Sequence, residues 1–331
     1  MKKRYKRSII LLIIALILSF LSSACTRDQE RRVEEETPKE EQREEVKKPP
    51  IPKQLHNNRN VVVYVVEEGR KKEIDIEEYV TGVLGGEIHN DWPEEALKAQ
   101  AILARTFVME FLTDKTSKYE GADVSTDIAE AQAWDQGSVN ERLKKAVQDT
   151  TGMVAVYNGQ YIKAWFHSHA GGKTASAKEG LNYEDEEPAY IQVVDSPDSE
   201  EAPKDDAQWT GEFTKAEVIQ AANKVGRGIK SVDSISIGEK GPSGRAVTLK
   251  IGDVSLSAPE FRKAIGSMKM KSTLISEIKV QGDRVVISGK GYGHGVGMSQ
   301  WGAYGMAKEG KTAEEIIKHY FKDVSLVKLW D

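Results

Sequence analysis

The sequence predicts an α+β fold, with mixed sheets and packed helices forming a cleft, preceded by one N-terminal membrane helix. Three observations carry this. Apolar β-branched runs and segments of helical period succeed one another without the regular alternation of a doubly wound sheet. An uncharged apolar stretch comes after a cluster of positive charge at the N-terminus. No internal repeat is present, so one large domain or two small ones account for most of the 331 residues.

Lys2, Lys3, Arg4, Lys6 and Arg7 precede residues 8–26, which carry no charge. About 20 apolar residues at ~1.5 Å each cross a hydrocarbon core. Residues 1–7 are therefore expected in the cytoplasm, 8–26 as a single-pass anchor in the cell membrane, and the folded part on the extracytoplasmic side. A second reading stays open. Ser22-Ser23-Ala24 before Cys25 suits a signal peptide cut there, with a lipid left on the cysteine, although Leu21 lies four residues ahead of it rather than three. A freely secreted form is the third option. Cys25 is the only cysteine, which excludes an intramolecular disulfide and a cysteine-based zinc cage. A formal charge of −5 gives no footing for nucleic acid as a partner.

Residues 27–58 read as a disordered charged linker, with 16 of the 22 residues at 27–48 charged and a proline-rich end. The folded extracytoplasmic domain is expected over 59–331. Residues 61–66 read as a buried strand, with a turn at Glu68-Gly69-Arg70 and a return strand ending near Ile74. Ile76, Tyr79, Val80, Val83 and Leu84 recur at helical spacing. Gly85-Gly86 is expected to stop that helix and leave Glu87 in a short loop. Asp91 with Glu94 fits a capping box opening a helix that runs to about Leu112. Residues 121–137 read as irregular, 141–148 as a helix, and 153–166 as a hairpin turning at Asn158-Gly159. Residues 183–206 are acidic and contain proline, as a surface excursion does. A helix at 215–224, strands near 231–237, 246–251, 274–280 and 284–288, and helices at 298–308 and 312–321 complete the order of elements. Thr312 with Glu315 forms a second capping box.

Four clusters offer chemistry. In Gly85-Gly86-Glu87 a carboxylate beside a glycine pair is open to close approach by a ligand, and partial burial would raise its pKa into the general-acid range. The bland reading is an exposed glutamate after a helix. Gln100 and Arg105 are polar residues in an alanine- and leucine-rich helix. Arg105 either orients a ligand through its planar fork or makes a structural ion pair, with Glu87 one possible partner. His167-Ser168-His169 places two imidazoles on one side of an extended segment, but no third metal ligand is evident nearby, and Ser168 has no recognisable triad companions. A polar glycine-rich turn is preferred to a metal site. Last, alternate glycines run from Gly291 to Gly297, around Tyr292 and His294, and lead to Gln300-Trp301. The spacing fits neither a dinucleotide fingerprint nor a Walker loop. Tyr292 and Trp301 either stack on a sugar face or fill a core.

Together these segments resemble the family of stage II sporulation D proteins and amidase enhancers. The resemblance rests on Glu78-Tyr79-Val80 through Gly86-Glu87, on Glu95 to Ala101 and Ala104-Arg105-Thr106, on Phe166-His167-Ser168 with Gly171 to Thr174, and on Gly291 to Ala303. It spans nearly all of residues 61–331. It implies a lytic transglycosylase that acts on peptidoglycan glycan strands stripped of their stem peptides, with the cleft as the glycan-binding site. In that reading Glu87 is the catalytic acid and base, and Gln100, Arg105, Ser168, His294, Gln300 and Trp301 bind the substrate. The resemblance further implies a cell-wall amidase and a membrane scaffold protein as partners in forespore engulfment. Some relatives carry a Cys/His zinc site near the glycine-rich loop. Here Ala170 and Lys173 stand where ligands would be expected, so no metal and no cofactor are assigned. Two rivals remain: a non-catalytic glycan-binding module that activates an amidase, and a metal-dependent hydrolase using His167 and His169.

Overall fold

The computed structural model describes residues 47–226 and 228–331. The expected tail and anchor at 1–26, Cys25 and most of the 27–58 linker lie outside the described residues. Among the described residues no helix is long and apolar enough to cross a membrane. The end of the expected linker belongs to the fold: a short turn at Lys53–Leu55 buries Leu55, and the Tyr161 hydroxyl donates to the Pro50 carbonyl at 3.1 Å.

The first core begins with β1 (Asn60–Val65) and β2 (Arg70–Asp75), paired antiparallel. Although the run reads as continuously apolar, only Val61, Val63 and Val65 are buried, so one face of the hairpin is the core face. The Asp75 side chain accepts from the Glu77 N–H and starts α1 (Ile76–Glu87). The glycine pair does not stop this helix as expected. It continues through Gly85 and Gly86, and Glu87 is its last residue rather than part of a loop.

The central helix is α2 (Glu94–Asp114), packed on α1. Pro93 precedes it without a side-chain cap, so Asp91 and Glu94 do not form the expected box; Glu94 pairs with Lys98 at 2.8 Å instead. The irregular stretch beyond contains β3 (Val124–Ser125), parallel to β1. Next come α3 (Glu141–Asp149), β4 (Met153–Tyr157) and β5 (Gln160–Tyr161), with φ of 51° at Asn158 and 75° at Gly159, as a type I′ turn requires. The chain then forms β6 (Phe166–His167) and α4 (Ala177–Leu181). The acidic excursion is anchored rather than loose. Asp198, almost fully buried, accepts from the Ser299 hydroxyl at 2.6 Å, the Ser196 hydroxyl at 2.9 Å and the Gly172 N–H at 3.0 Å.

After α5 (Lys204–Ala207) the chain builds a second core. Strand β7 (Gln208–Thr214), helix α6 (Lys215–Val225), strands β8 (Ile235–Ile237), β9 (Thr248–Ile251) and β10 (Val254–Ser257), helix α7 (Ala258–Ile265) and the hairpin β11 (Ile275–Gln281) with β12 (Arg284–Lys290) form two three-stranded sheets with two helices. Sequence periodicity misses β7, β10 and α7. The chain then returns. Residues 291–297 cross back to β13 (Met298–Ser299), which runs parallel to β6. Helices α8 (Gln300–Lys308) and α9 (Ala313–Tyr320) close on α2, and β14 (Ser325–Lys328) pairs with β4. The expected Thr312–Glu315 box caps α9. The fold is α+β, with several small sheets, and the second core is an insertion between two halves of the first.

Candidate active site

A glycine stripe brings one loop onto the end of α1. A Cβ at Gly82 would collide with the Trp134 indole, one at Gly85 with the Asp135 carbonyl, and one at Gly86 would stand 2.6 Å from the Trp134 nitrogen. The glycines make room for the chain itself rather than for a ligand. Helix-interior glycine costs roughly 1 kcal/mol relative to alanine, so the close approach must repay it. It does so at Glu87: the loop delivers the Ala133 N–H to the Glu87 carboxylate at 2.7 Å.

Glu87 is half-buried, and burial drives its pKa up to about 7 against the lowering effect of the Ala133 bond. It lies at the junction of two concavities. One, of about 640 Å³, is lined by Gly86, Glu87, Gln132, Trp165, His167 and Ser168, with Arg262, Tyr292, Gly293, His294 and Gln300 opposite. The other, of about 430 Å³, runs from Gly85 to Asp91 and Ser138. Glu87 is the single carboxylate among the residues lining the larger one.

The ribbon at 291–297 forms the facing wall. Its four glycines have φ between 71° and 112°, which side-chain-bearing residues rarely adopt. They also let the ribbon lie against 165–171; a Cβ at Gly293 would stand 2.7 Å from that of His167. The His167 and His294 rings are 5.6 Å apart. His294 accepts from the Val296 N–H at 3.0 Å, and its low-polarity setting, with Arg262 and Arg245 nearby, takes its pKa down to about 3. His167 is buried, sits 3.2 Å from the Val296 carbonyl through Nδ1, and is likewise held neutral by burial. Its Nε2 has no protein partner and, with Nδ1 donating, is a hydrogen-bond acceptor.

The expected binding residues divide. Ser168, His294 and Gln300 line the cavity. Gln300 also donates from Nε2 to the Glu87 carbonyl at 2.9 Å, satisfying a terminal carbonyl of α1 and tying the ribbon to the acid. Gln100 is fully buried and reaches only the Gln300 amide, at 3.5 Å. Arg105 is in neither cavity. It is fully buried against Glu77, with Nε 3.0 Å from Oε2, and donates to the Met153 carbonyl at 3.0 Å. The arginine is therefore structural, and its partner is Glu77, not Glu87. Trp301 is buried in an aromatic cluster with Trp92 at 4.5 Å and Tyr304 at 5.3 Å between centroids. Of the two aromatics weighed for stacking, Tyr292 lines the larger cavity.

His167 and His169 do not converge. His169 Nδ1 accepts from the Gly171 N–H at 2.9 Å and lies 3.3 Å from Asp198, away from the His167–Val296 contact. Among the described residues no group of three or more His, Cys, Asp or Glu is placed to hold a metal ion. Sequence reasoning misses Gln132 and Arg262. Gln132 is buried with neither amide atom bonded, yet lines the cavity. Nothing in its polar surroundings at 121–137 marks it.

The stage II sporulation protein family model matches residues 67–157, which carry Glu87 and its loop. The chain belongs to the stage II sporulation protein D family. It is 31% identical to stage II sporulation protein D of Bacillus subtilis over 282 residues, 80% of this chain and 78% of that protein. An uncharacterized protein of Brachyspira hyodysenteriae is 34% identical over 255 residues, 77% of this chain and 67% of that protein. The amidase enhancer of Bacillus subtilis is 29% identical over 291 residues, 74% of this chain but 40% of that protein. A domain of unknown function (DUF8618) matches residues 156–297, the stretch that holds the second core and the ribbon.

Proposed function

We propose that the chain is a membrane-anchored lytic transglycosylase that cleaves the bond between N-acetylmuramic acid and N-acetylglucosamine in peptide-stripped glycan during sporulation. One observation carries the reading: a half-buried carboxyl with pKa raised to about 7, at the junction of two cavities. Near neutral pH a large fraction of Glu87 holds its proton and can donate it to the glycosidic oxygen as the C1–O bond breaks. The carboxylate so formed takes a proton from the 6-hydroxyl of the same muramyl sugar, and that oxygen closes on C1 as a 1,6-anhydro ring. The proton count balances and no water is consumed. A hydrolytic glycosidase ordinarily needs a second carboxyl in the same space. The larger cavity has Glu87 alone among the described residues, which favours the one-carboxyl reaction.

The neutral Nε2 of His167 can accept from a sugar hydroxyl, and the Gln132 amide can give and take one bond each. Exposed Ile128 and the Tyr292 ring supply apolar contact for the sugar faces. The anchor at 8–26 would hold this site outside the cytoplasm, where a cell-wall amidase that strips the peptides and a membrane scaffold would meet it. The test is Glu87→Gln on purified peptide-free strands, with release of anhydro-sugar products as the readout. The expected loss is about 10²–10⁴-fold, the usual worth of general acid–base catalysis. Unchanged release would place the chemistry elsewhere. Similarity to the amidase enhancer supports a second reading, a glycan-binding activator of an amidase. It requires that wild type alone release nothing and that Glu87→Gln still stimulate the amidase.

A further inference from the structure

Arg105 and Arg245 are fully buried and Arg262 is half-buried, and protein groups answer the first two. Arg105 pairs with Glu77. Arg245 donates to the Lys173 carbonyl at 2.8 Å and the Ala170 carbonyl at 2.5 Å, with the Glu179 carboxylate favouring its charge. Arg262, on α7, has no such balance. Its Nε donates to the Met270 and Lys271 carbonyls, both at 3.0 Å, which fixes the plane of the guanidinium. Its terminal nitrogens have no hydrogen-bond partner and no carboxylate pairs with it among the described residues. Burial takes its pKa down to about 10, and only the Tyr292 phenol opposes that shift. Glu87 is no substitute, since burial and the Ala133 bond account for its own pKa.

Arg262 is also the one lysine or arginine lining the 640 Å³ cavity among the described residues, and the two imidazoles there are neutral. A partly desolvated cation without a counter-charge is costly unless an anion arrives. A guanidinium held by Nε with its outer nitrogens free presents a fork to a carboxylate. On a cell-wall glycan, the muramyl sugar carries a lactyl group at C3. With a stem peptide attached that group ends in a neutral amide; with the peptide removed it ends in a carboxylate.

We propose that Arg262 is a specificity-determining residue that binds the free lactyl carboxylate of the muramyl sugar and so reads whether the stem peptide has been removed. This rests on the glycan reading above. The two are separable by binding, with the full-length Glu87→Gln chain in detergent so that nothing is cleaved. The probes are short oligomers of alternating N-acetylglucosamine and N-acetylmuramic acid with free lactyl carboxyls, and the same oligomers capped as methylamides. Calorimetry should show the free acid bound about 10- to 100-fold more tightly, the range of a hydrogen bond to a charged group.

Adding Arg262→Gln should abolish that ratio by weakening the acid and leaving the amide unchanged. Arg262→Lys, which keeps the charge without the fork, should retain part of it and serves where the glutamine variant fails to fold. Equal binding of acid and amide before Arg262 is touched overturns the proposal, as does a preference that survives both substitutions. Anhydro-sugar release by wild type with the same KM on both probes would remove Arg262 from recognition and keep the reaction. A carboxylate preference without any release would keep Arg262 and remove the reaction.

Discussion

On the helix wall of the cavity, Gly82, Gly85 and Gly86 lie inside a regular α-helix, and only the approach of 133–135 forbids a side chain. On the ribbon wall, Gly291, Gly293, Gly295 and Gly297 all have positive φ and touch 165–171 or the Arg245 guanidinium as well. The charges differ in the same way. The helix wall carries an acid poised to titrate near neutrality, and the ribbon side carries imidazoles that stay neutral and a cation that stays charged. One wall thus presents a group that can exchange a proton near neutrality, and the other a fixed pattern of donors, acceptors and charge. The two are joined where Gln300 donates to the carbonyl of Glu87.

The sharpest way to break this division is to remove the arginine on the helix side that takes no part in the cavity. Arg105→Ala leaves Glu77 facing a fully buried void with its partner gone. Breaking a buried pair costs about 3–5 kcal/mol. Urea denaturation should show that loss, while KM for glycan in the protein still folded stays within about twofold of wild type. A large KM change with little loss of stability would return Arg105 to the site and blur the division.

A smaller effect is expected from Gly86→Ala. The new Cβ meets backbone atoms of Trp134 and Ala133 at 2.6–2.7 Å, so the loop must give way. The expected cost is about 1–3 kcal/mol, as for other overpacking changes. The Ala133 N–H moves with the loop, and that bond is what lowers the Glu87 pKa against burial. The pH at which glycan cleavage is half-maximal should therefore move up from its wild-type position near 7. Above that position the wild-type rate should fall about tenfold per pH unit, because the donating form is lost. His167 and His294 add no limb near neutrality, both being neutral there. A Gly86→Ala profile that moves down, or not at all, would show that the loop contact does not tune the acid.

Features that depend on neighbours in sequence are legible in it. The helical period at 76–84, the Asn158-Gly159 turn and the Thr312–Glu315 cap are of this kind, and each is found. Glu87 is picked out by the family resemblance, because a carboxylate after a glycine pair is by itself a weak signal, and the reason for the glycines is not legible at all. That reason is a contact with residues about 50 positions away, invisible to local pattern. Arg105 and Trp301 look functional for the same lack of information. A polar or aromatic residue in a motif reads alike whether it faces a ligand, Glu77 or Trp92. Gln132 and Arg262 lie in stretches with no signal of their own, and only the return of the ribbon brings them to one cavity.

The smallest expected effect tests the acid without any substrate. Glu87 ionises at about 4.5 when exposed and at about 7 in the fold, so between those values the folded chain keeps a proton that the unfolded chain has lost. Stability therefore falls as pH rises through that window, and the full penalty applies above about 7. At ~1.4 kcal/mol per pKa unit the ceiling is about 3 kcal/mol. Glutamine at 87 removes the titration but must bury an amide in its place, which leaves a net gain of about 1–2 kcal/mol. Glu87→Gln should then fall below wild type in melting temperature at pH 4, where only the buried amide counts, and exceed it at pH 8, with the difference changing sign between them. A variant less stable than wild type at pH 8 would mean that the ionised carboxyl is welcome in the fold, and the helix wall would lose its claim to a neutral acid at the working pH.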